Sequence, residues 1–233
     1  MSTRSGLYAL WREWRLLLAC VLVLLVFRSA VADLNRIPSA SMRPNLVEGD
    51  RIEVDKLAYD LRVPFTLIRI HAWADPHRGD VVTFASPIDD RLLVKRAIGL
   101  PGDVVELRNN RLLINHTAAS YEALPDDSAT TARLPAQDRR DCELLREQIA
   151  GTDHLMMLCP RQQYVAPGYA SFGPVTVPPG QYLMLGDNRD TSADYRRIGF
   201  VDRARVLGRA DHIAFSLGDD WLPRRDRFLI ALQ

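Results

Sequence analysis

The sequence predicts a mainly β fold: a β core interrupted by an inserted smaller lobe and preceded by one N-terminal helix that reads as a membrane anchor. Three observations predict it. Downstream of residue 46, short runs rich in β-branched residues recur, each bounded by Gly, Pro, Asp or Asn, which is strand-and-turn patterning. Residues 16–27 carry no polar side chain. From about residue 116 to 180 the strand rhythm gives way to a polar and then proline-rich stretch. A chain of 233 residues has room for one body of ordinary size plus an anchor. The segments are 1–32 for the N-terminus and anchor, 33–105 and 181–233 for the two parts of the core, and 106–180 for the lobe.

Taken in chain order, Leu16 to Phe27 come first. A hydrocarbon core of about 30 Å needs roughly 20 apolar residues, so this run is short by itself. With Trp11 and Trp14 as an interfacial belt and Arg28 snorkelling, a span over residues 10–31 becomes workable. The same stretch reads equally as a cleavable signal, with Arg4, Arg12 and Arg15 as its basic region and Ala30-Val31-Ala32 as a small-residue cleavage site. Both readings keep the basic flank inside and export everything after about residue 33.

Strands are expected at 51–54, 79–84, 92–98, 103–107, 111–115, 182–185 and 205–215. Within 106–180 a short helix is expected near Asp138 to Ala150, ahead of Pro174, Pro178, Pro179 and Gly180. Cys142 and Cys159 lie in the exported part, where a disulfide is permitted, and reduced buried thiols are the other reading. The pairs Asp89-Asp90, Asp126-Asp127 and Asp219-Asp220 read as solvated turns. Thirty basic residues against 29 acidic ones leave a net charge of +1, which gives no support for a nucleic-acid partner. No phosphate loop, HExxH or CxxC motif appears, so no cofactor and no metal is expected.

Three segments carry candidate chemistry. In Ile37 to Leu46, Pro38 and Pro44 fix the backbone around Ser39 and Ser41, and small Ala40 permits close approach of another chain; a structural serine turn is the plain alternative. In Leu92 to Asp103, Lys95 sits inside an apolar strand. Alternation puts Leu93, Lys95 and Ala97 on one face and Val94, Arg96 and Ile98 on the other, so one of the two cations must face the interior, unless Lys95 merely snorkels. Gly186 to Phe200 is dense in turn-forming and charge-pairing groups, and reads also as a salt-bridged loop.

The order of these boxes changes the weight of each. Ser-Met-x-Pro at 41–44, Lys95-Arg96 with Gly99-x-Pro-Gly-Asp103, and Gly186-Asp-Asn-Arg-Asp190 with Ser192-x-Asp194 together resemble the bacterial type I signal peptidase family, directly after an apolar anchor. The resemblance covers the anchor and roughly residues 33–105 and 180–215, and weakens in the lobe. It implies a β catalytic core with an inserted smaller β-rich lobe and a membrane-bound serine endopeptidase that removes signal peptides after small residues at positions −1 and −3. By resemblance, Ser41 is the nucleophile and Lys95 the general base, acting through an acyl-enzyme. Ser39 and the Ser41 backbone form the oxyanion hole, Ser192 orients the lysine, and Asp194 and Arg196 form a structural ion pair. Ile37, Met42, Leu46 and Val94 line the substrate pockets. The partners implied are exported preproteins and membrane lipid, the location is the bacterial inner membrane with the catalytic body on the outer side, and a monomer is expected.

Asn45, Thr191 and Tyr195 stand where the family more often has threonine, asparagine and serine. None of these departures removes a catalytic group. A lysine base needs neutrality near working pH, and burial in an apolar strand is the route to it. Two neighbouring readings share the chemistry. A self-cleaving repressor would need a DNA-binding N-terminus where this chain has an apolar segment, whereas a conjugation-type maturation peptidase would differ only in substrate. A non-enzymatic exported β protein with a cleaved signal is the reading from another class.

Overall fold

The computed structural model describes residues 3–66, 68–125, 128–160, 169–218 and 221–232; the pairs Asp126-Asp127 and Asp219-Asp220 fall outside them. Helix α1 spans Thr3–Ala30, and from Trp14 to Arg28 its side chains are exposed. No helix among the described residues is long and apolar enough to cross a membrane. The segment expected to span 10–31 is therefore a helix, but its apolar stretch between Arg15 and Arg28 measures only about 18 Å at 1.5 Å per residue. At its end, Lys56 Nζ donates to the carbonyls of Arg28 (3.0 Å) and Ser29 (3.2 Å). A cation there satisfies orphan carbonyls at the negative pole of the helix.

The first part of the core holds β1 (Ala32–Arg36), β2 (Asp50–Asp55), β3 (Asp60–Arg62), β4 (Arg69–Ala72), β5 (Val81–Ala85) and β6 (Leu92–Gly99). Next come β7 (Val104–Arg108), β8 (Arg111–Ile114), β9 (Thr117–Ala118), β10 (Ser120–Ala123), the short helices α2 (Ala129–Ala132) and α3 (Ala136–Asp141), β11 (Glu143–Ile149), β12 (Thr152–Leu158) and β13 (Phe172–Thr176). The chain closes with β14 (Gln181–Leu185), α4 (Tyr195–Ile198), β15 (Val201–Asp202), β16 (Val206–Ser216) and β17 (Ile230–Ala231).

Strand order in the eight-stranded sheet is β1-β2-β16-β5-β6-β14-β15, with β17 also on β16. Segments near both ends of the chain thus meet in one sheet, with β16 inserted between β2 and β5. Two smaller sheets, β10-β11-β12 and β13-β7-β8-β9, come from the middle of the sequence, and β3-β4 is a separate hairpin. One apolar cluster joins the large sheet to the smaller ones: Ile98, Leu183 and Leu185 pack with Val105, Leu107, Leu112, Ile114 and Ile149. At this junction, a methyl group on Gly99 would lie 2.8 Å from Leu183 and Val105, so only glycine lets the strands approach.

The helix expected over 138–150 is largely a strand. Only Ala136–Asp141 is helical; Glu143–Ile149 pairs along its whole length with β12 and along part of it with β10. Good helix formers there yield to two partner strands, since tertiary pairing outweighs propensities of a few tenths of a kcal/mol per residue. Cys142 and Cys159, flanking the first register pair of that hairpin (Glu143 with Leu158), are disulfide-bonded.

Candidate active site

Ser41 lies in a single 3-10 turn, Ala40–Met42, on the loop between β1 and β2. Pro38 forbids a ladder donor after β1, and the loop is then pinned from both sides. Ile37 N donates to Asp50 O at 2.9 Å, Gly49 N to Ile37 O at 3.1 Å, and Val47 N to the Asp50 carboxylate at 2.8 Å. That carboxylate is in turn gripped by two Arg227 nitrogens, at 2.9 and 2.6 Å. From the other side, Asn188 N donates to Ser41 O at 3.1 Å. Gly186 lies so close that a Cβ there would be 2.5 Å from Ser41 O and 2.2 Å from Ser192 Oγ.

Lys95 projects from β6 and is only 4% exposed. Its Nζ donates to Ser41 Oγ at 2.6 Å and to Val94 O at 2.8 Å, and Ser39 Oγ lies 3.3 Å from Ser41 Oγ. Burial pushes the Lys95 amine down to about 8, opposed by the negative charges of Asp194 and Asp187. An amine that is half neutral near pH 8 and touches a hydroxyl can take that hydroxyl's proton.

Alternation in β6 predicted one buried cation; the structure buries both Lys95 and Arg96. Arg96 is accommodated because Asp187 meets it with two bonds of 2.8 Å, while Gly79 O accepts from a further nitrogen at 2.7 Å. Burial alone would raise the Asp187 carboxyl, but Arg96 holds it below the usual carboxylate range. Asn45 donates to the same carboxylate at 2.6 Å and to Leu155 O at 2.7 Å, tying the Ser41 loop to β12. Asp194 receives Arg196 through two bonds of 2.8 Å, accepts from Gly186 N at 3.0 Å, and caps α4.

Ser192 is fully buried beside Gly186, but its Oγ has no hydrogen-bond partner among the described residues; the contact to Lys95 that the resemblance implies is not made here. Ile37, Met42 and Leu46 are brought together with half-buried Val94 in one cluster that also contains Ile52, Val81 and Ile213. They form one close-packed cluster that includes Met42, next to Ser41 in the chain, and Val94, next to Lys95. A cavity of about 160 Å³ beside Pro44 and Asn45 opens elsewhere, toward Arg133, Arg146 and Arg227.

Sequence reasoning missed a second buried charge group. Arg189 pairs with Glu147, whose other oxygen accepts from Tyr121 at 2.5 Å, and His154 Nε2 lies 3.2 Å from Glu147. Burial first, and Arg96 second, push the His154 imidazole down, so it stands neutral near pH 7. Arg189 stood within the third box, but Glu147 fell in the segment read as a helix, with nothing in the sequence to mark it as a partner.

A family model described as "Signal peptidase, peptidase S26" matches residues 11–215. Signal peptidase I of Pseudomonas aeruginosa is 31% identical over 209 residues, covering 84% of this chain and 69% of its own. Its counterpart in Pseudomonas fluorescens is 33% identical over 200 residues, covering 81% and 66%. This chain spans about two thirds of both. Signal peptidase I of Bacillus licheniformis, 28% identical over 210 residues, is covered over 90% of its length.

Proposed function

The chain belongs to the signal peptidase family, peptidase S26, and is a serine peptidase; from that premise we propose that Ser41 and Lys95 form its catalytic dyad and that it removes N-terminal signal peptides from exported preproteins. The observation that carries this is the 2.6 Å contact between Ser41 Oγ and the buried amine of Lys95, whose affinity for protons is lowered to about 8.

In the competent state Lys95 is neutral and its lone pair faces the Ser41 hydroxyl. As Oγ attacks the scissile carbonyl carbon, the proton passes to Nζ and the carbonyl oxygen becomes an oxyanion. On this reading the Ser41 backbone N–H and the Ser39 hydroxyl donate to that oxygen. Collapse expels the new N-terminus of the mature protein, protonated by the Lys95 ammonium, and leaves an acyl-enzyme on Ser41. Water then attacks the ester, giving its proton to Lys95, and the ammonium returns one proton to Ser41 Oγ. Val94 O holds one Nζ hydrogen throughout, aiming the lone pair. Ser192, packed against Gly186, acts on the lysine only through the Gly186 turn that it supports.

Residues 92–95 pair only with β5, because β14 first joins β6 at Arg96. An extended substrate adds to that open edge as a strand. The wall of Ile37, Met42, Leu46 and Val94 is packed too tightly for deep pockets, so small side chains fit at positions −1 and −3 and bulky ones clash. Helix α1 anchors the enzyme, with its exposed apolar run in lipid, Arg15 on the cytoplasmic side and the catalytic body on the outer side of the bacterial inner membrane.

The test is cleavage of a model preprotein by detergent-purified protein. Wild type is expected to release one mature N-terminus after a small residue, while Ser41→Ala and Lys95→Arg release none. Undiminished cleavage by either variant would remove the dyad.

A further inference from the structure

We propose that the β3–β4 hairpin is a second membrane contact, whose apolar tip enters the lipid interface beside the end of α1; this rests on reading α1 as the anchor. The hairpin exposes Phe65 (68%), Ile68 (65%), Ile70 (59%) and Trp73 (51%), with Val63 beside them. Such a density of exposed apolar side chains in about ten residues is unusual for a surface facing water. The two strands form a sheet of their own and do not extend the large one.

The position of the tip selects the partner. Phe65 N donates to Ser29 Oγ at 2.6 Å, so the tip touches the last turn of α1. Ser29 is two residues past Phe27, where the apolar run ends, a rise of about 3 Å along the helix. Tip and apolar run are thus continuous. Two cations lie at the junction, Lys56 on the α1 carbonyls and Arg28 with its side chain 65% exposed, and they share one carboxylate, Asp33. Apolar side chains beside two cations that share a single carboxylate suit a bilayer surface containing anionic headgroups. Trp73 keeps its indole N–H on Leu57 O at 2.9 Å and its ring exposed, an arrangement suited to the headgroup layer. An apolar run too short to fill the hydrocarbon core gains from this a second hold on the interface.

The experiment uses the full chain in vesicles of phosphatidylethanolamine and phosphatidylglycerol. Cys20 is exposed in the apolar run of α1 and is free, whereas Cys142 and Cys159 are bonded to each other, so a fluorescent thiol label reports on one place at a time. Native Cys20 reports the anchor, and Ile68→Cys in a Cys20→Ser background reports the hairpin. Quenching of both labels by brominated lipid is the expected result. Quenching at Cys20 alone, with the hairpin label open to aqueous iodide, would overturn the proposal and leave the anchor standing. A hairpin label shielded from both quenchers would mean contact with protein and also overturn it, and quenching at neither place would remove the anchor as well. In parallel, Phe65→Asp with Ile68→Asp should lower kcat/KM for a vesicle-bound preprotein on the order of three- to tenfold, as expected for lost interfacial area, with cleavage of a short soluble peptide unchanged. Equal rates on both substrates would count against the proposal, and the soluble peptide shows that the variant is folded.

Discussion

At Lys95 charge and burial conflict, and under the proposed Ser41–Lys95 dyad that conflict sets both activity and stability. Activity should rise along a single acidic limb centred near pH 8, measured as kcat/KM for a peptide substrate, because only the neutral amine accepts the Ser41 proton. A limb near 6.5 would point to a histidine instead. The same shift costs stability. The folded-state pKa, about 8, lies below the ordinary 10.5, so between these values the unfolded chain binds more protons and stability rises with pH. The cost is absent above about pH 10.5 and complete below about pH 8, where it amounts to about 3 kcal/mol. Lys95→Met should therefore be inactive yet more stable than wild type at pH 7, with the difference fading toward pH 10.5 in urea titrations. The lysine was legible in the sequence as a cation in an apolar strand. Burial of Arg96 beside it was not, because its partner Asp187 is 91 residues away and only the folded sheet brings them together.

Among the elements, the turn carrying Ser41 depends on a residue with no chemistry of its own. A methyl group at Gly186 would meet the Ser41 carbonyl and the Ser192 hydroxyl at 2.5 and 2.2 Å, so one of the two must move. Gly186→Ala should cost about 1–3 kcal/mol in thermal unfolding and lower kcat on the order of a hundredfold, since displacements near 1 Å suffice for that. Preserved kcat would show that the turn and the dyad are less tightly coupled. Most strands of the large sheet were legible, since β-branched runs ending in Gly, Pro or Asp mark β2, β5, β6 and β16 directly. Residues 143–149 were not, because Glu, Leu, Arg and Gln favour helix locally and the strand exists only through its partners β10 and β12. Nor did the sequence choose between bonded and free Cys142 and Cys159, which become neighbours only once that hairpin forms.

Across the whole molecule, buried charges fasten the inserted segment to the core. Arg189 comes from the loop after β14 and Glu147 from β11, and both are almost wholly buried. Burial alone would raise the Glu147 carboxyl, but Arg189 outweighs it and keeps it ionised. Glu147→Ala would leave the buried Arg189 guanidinium without its directly paired carboxylate and should cost about 3–5 kcal/mol in chemical denaturation. A change below 1 kcal/mol would show that the two parts hold together without it. The anchor was only half legible at this scale. Its apolar run and helix are evident, yet Arg15 and Arg28 close in before a full span is reached, and the hairpin that lies against its end has no mark in the sequence beyond scattered apolar residues.

The insertion of β16 between β2 and β5 also sets a schedule. Strand β2 follows the Ser41 loop and β5 supports the Lys95 strand, yet in the sheet they meet only through residues 206–216. A chain emerging N-terminus first presents the serine and the lysine long before it presents the strand that holds their supports side by side. The nascent chain is therefore expected to be unable to cut until residues 206–216 have emerged and paired, at a synthesis rate of roughly 5–20 residues per second. Its own apolar N-terminus, with Ala30-Val31-Ala32 behind it, passes that interval out of reach of any finished active site on the same chain. A chain ending at residue 204 should remain inert toward a peptide substrate, and adding residues 205–233 as a separate peptide should restore cleavage only if the sheet can close late; activity in the shorter chain alone would contradict that order of assembly.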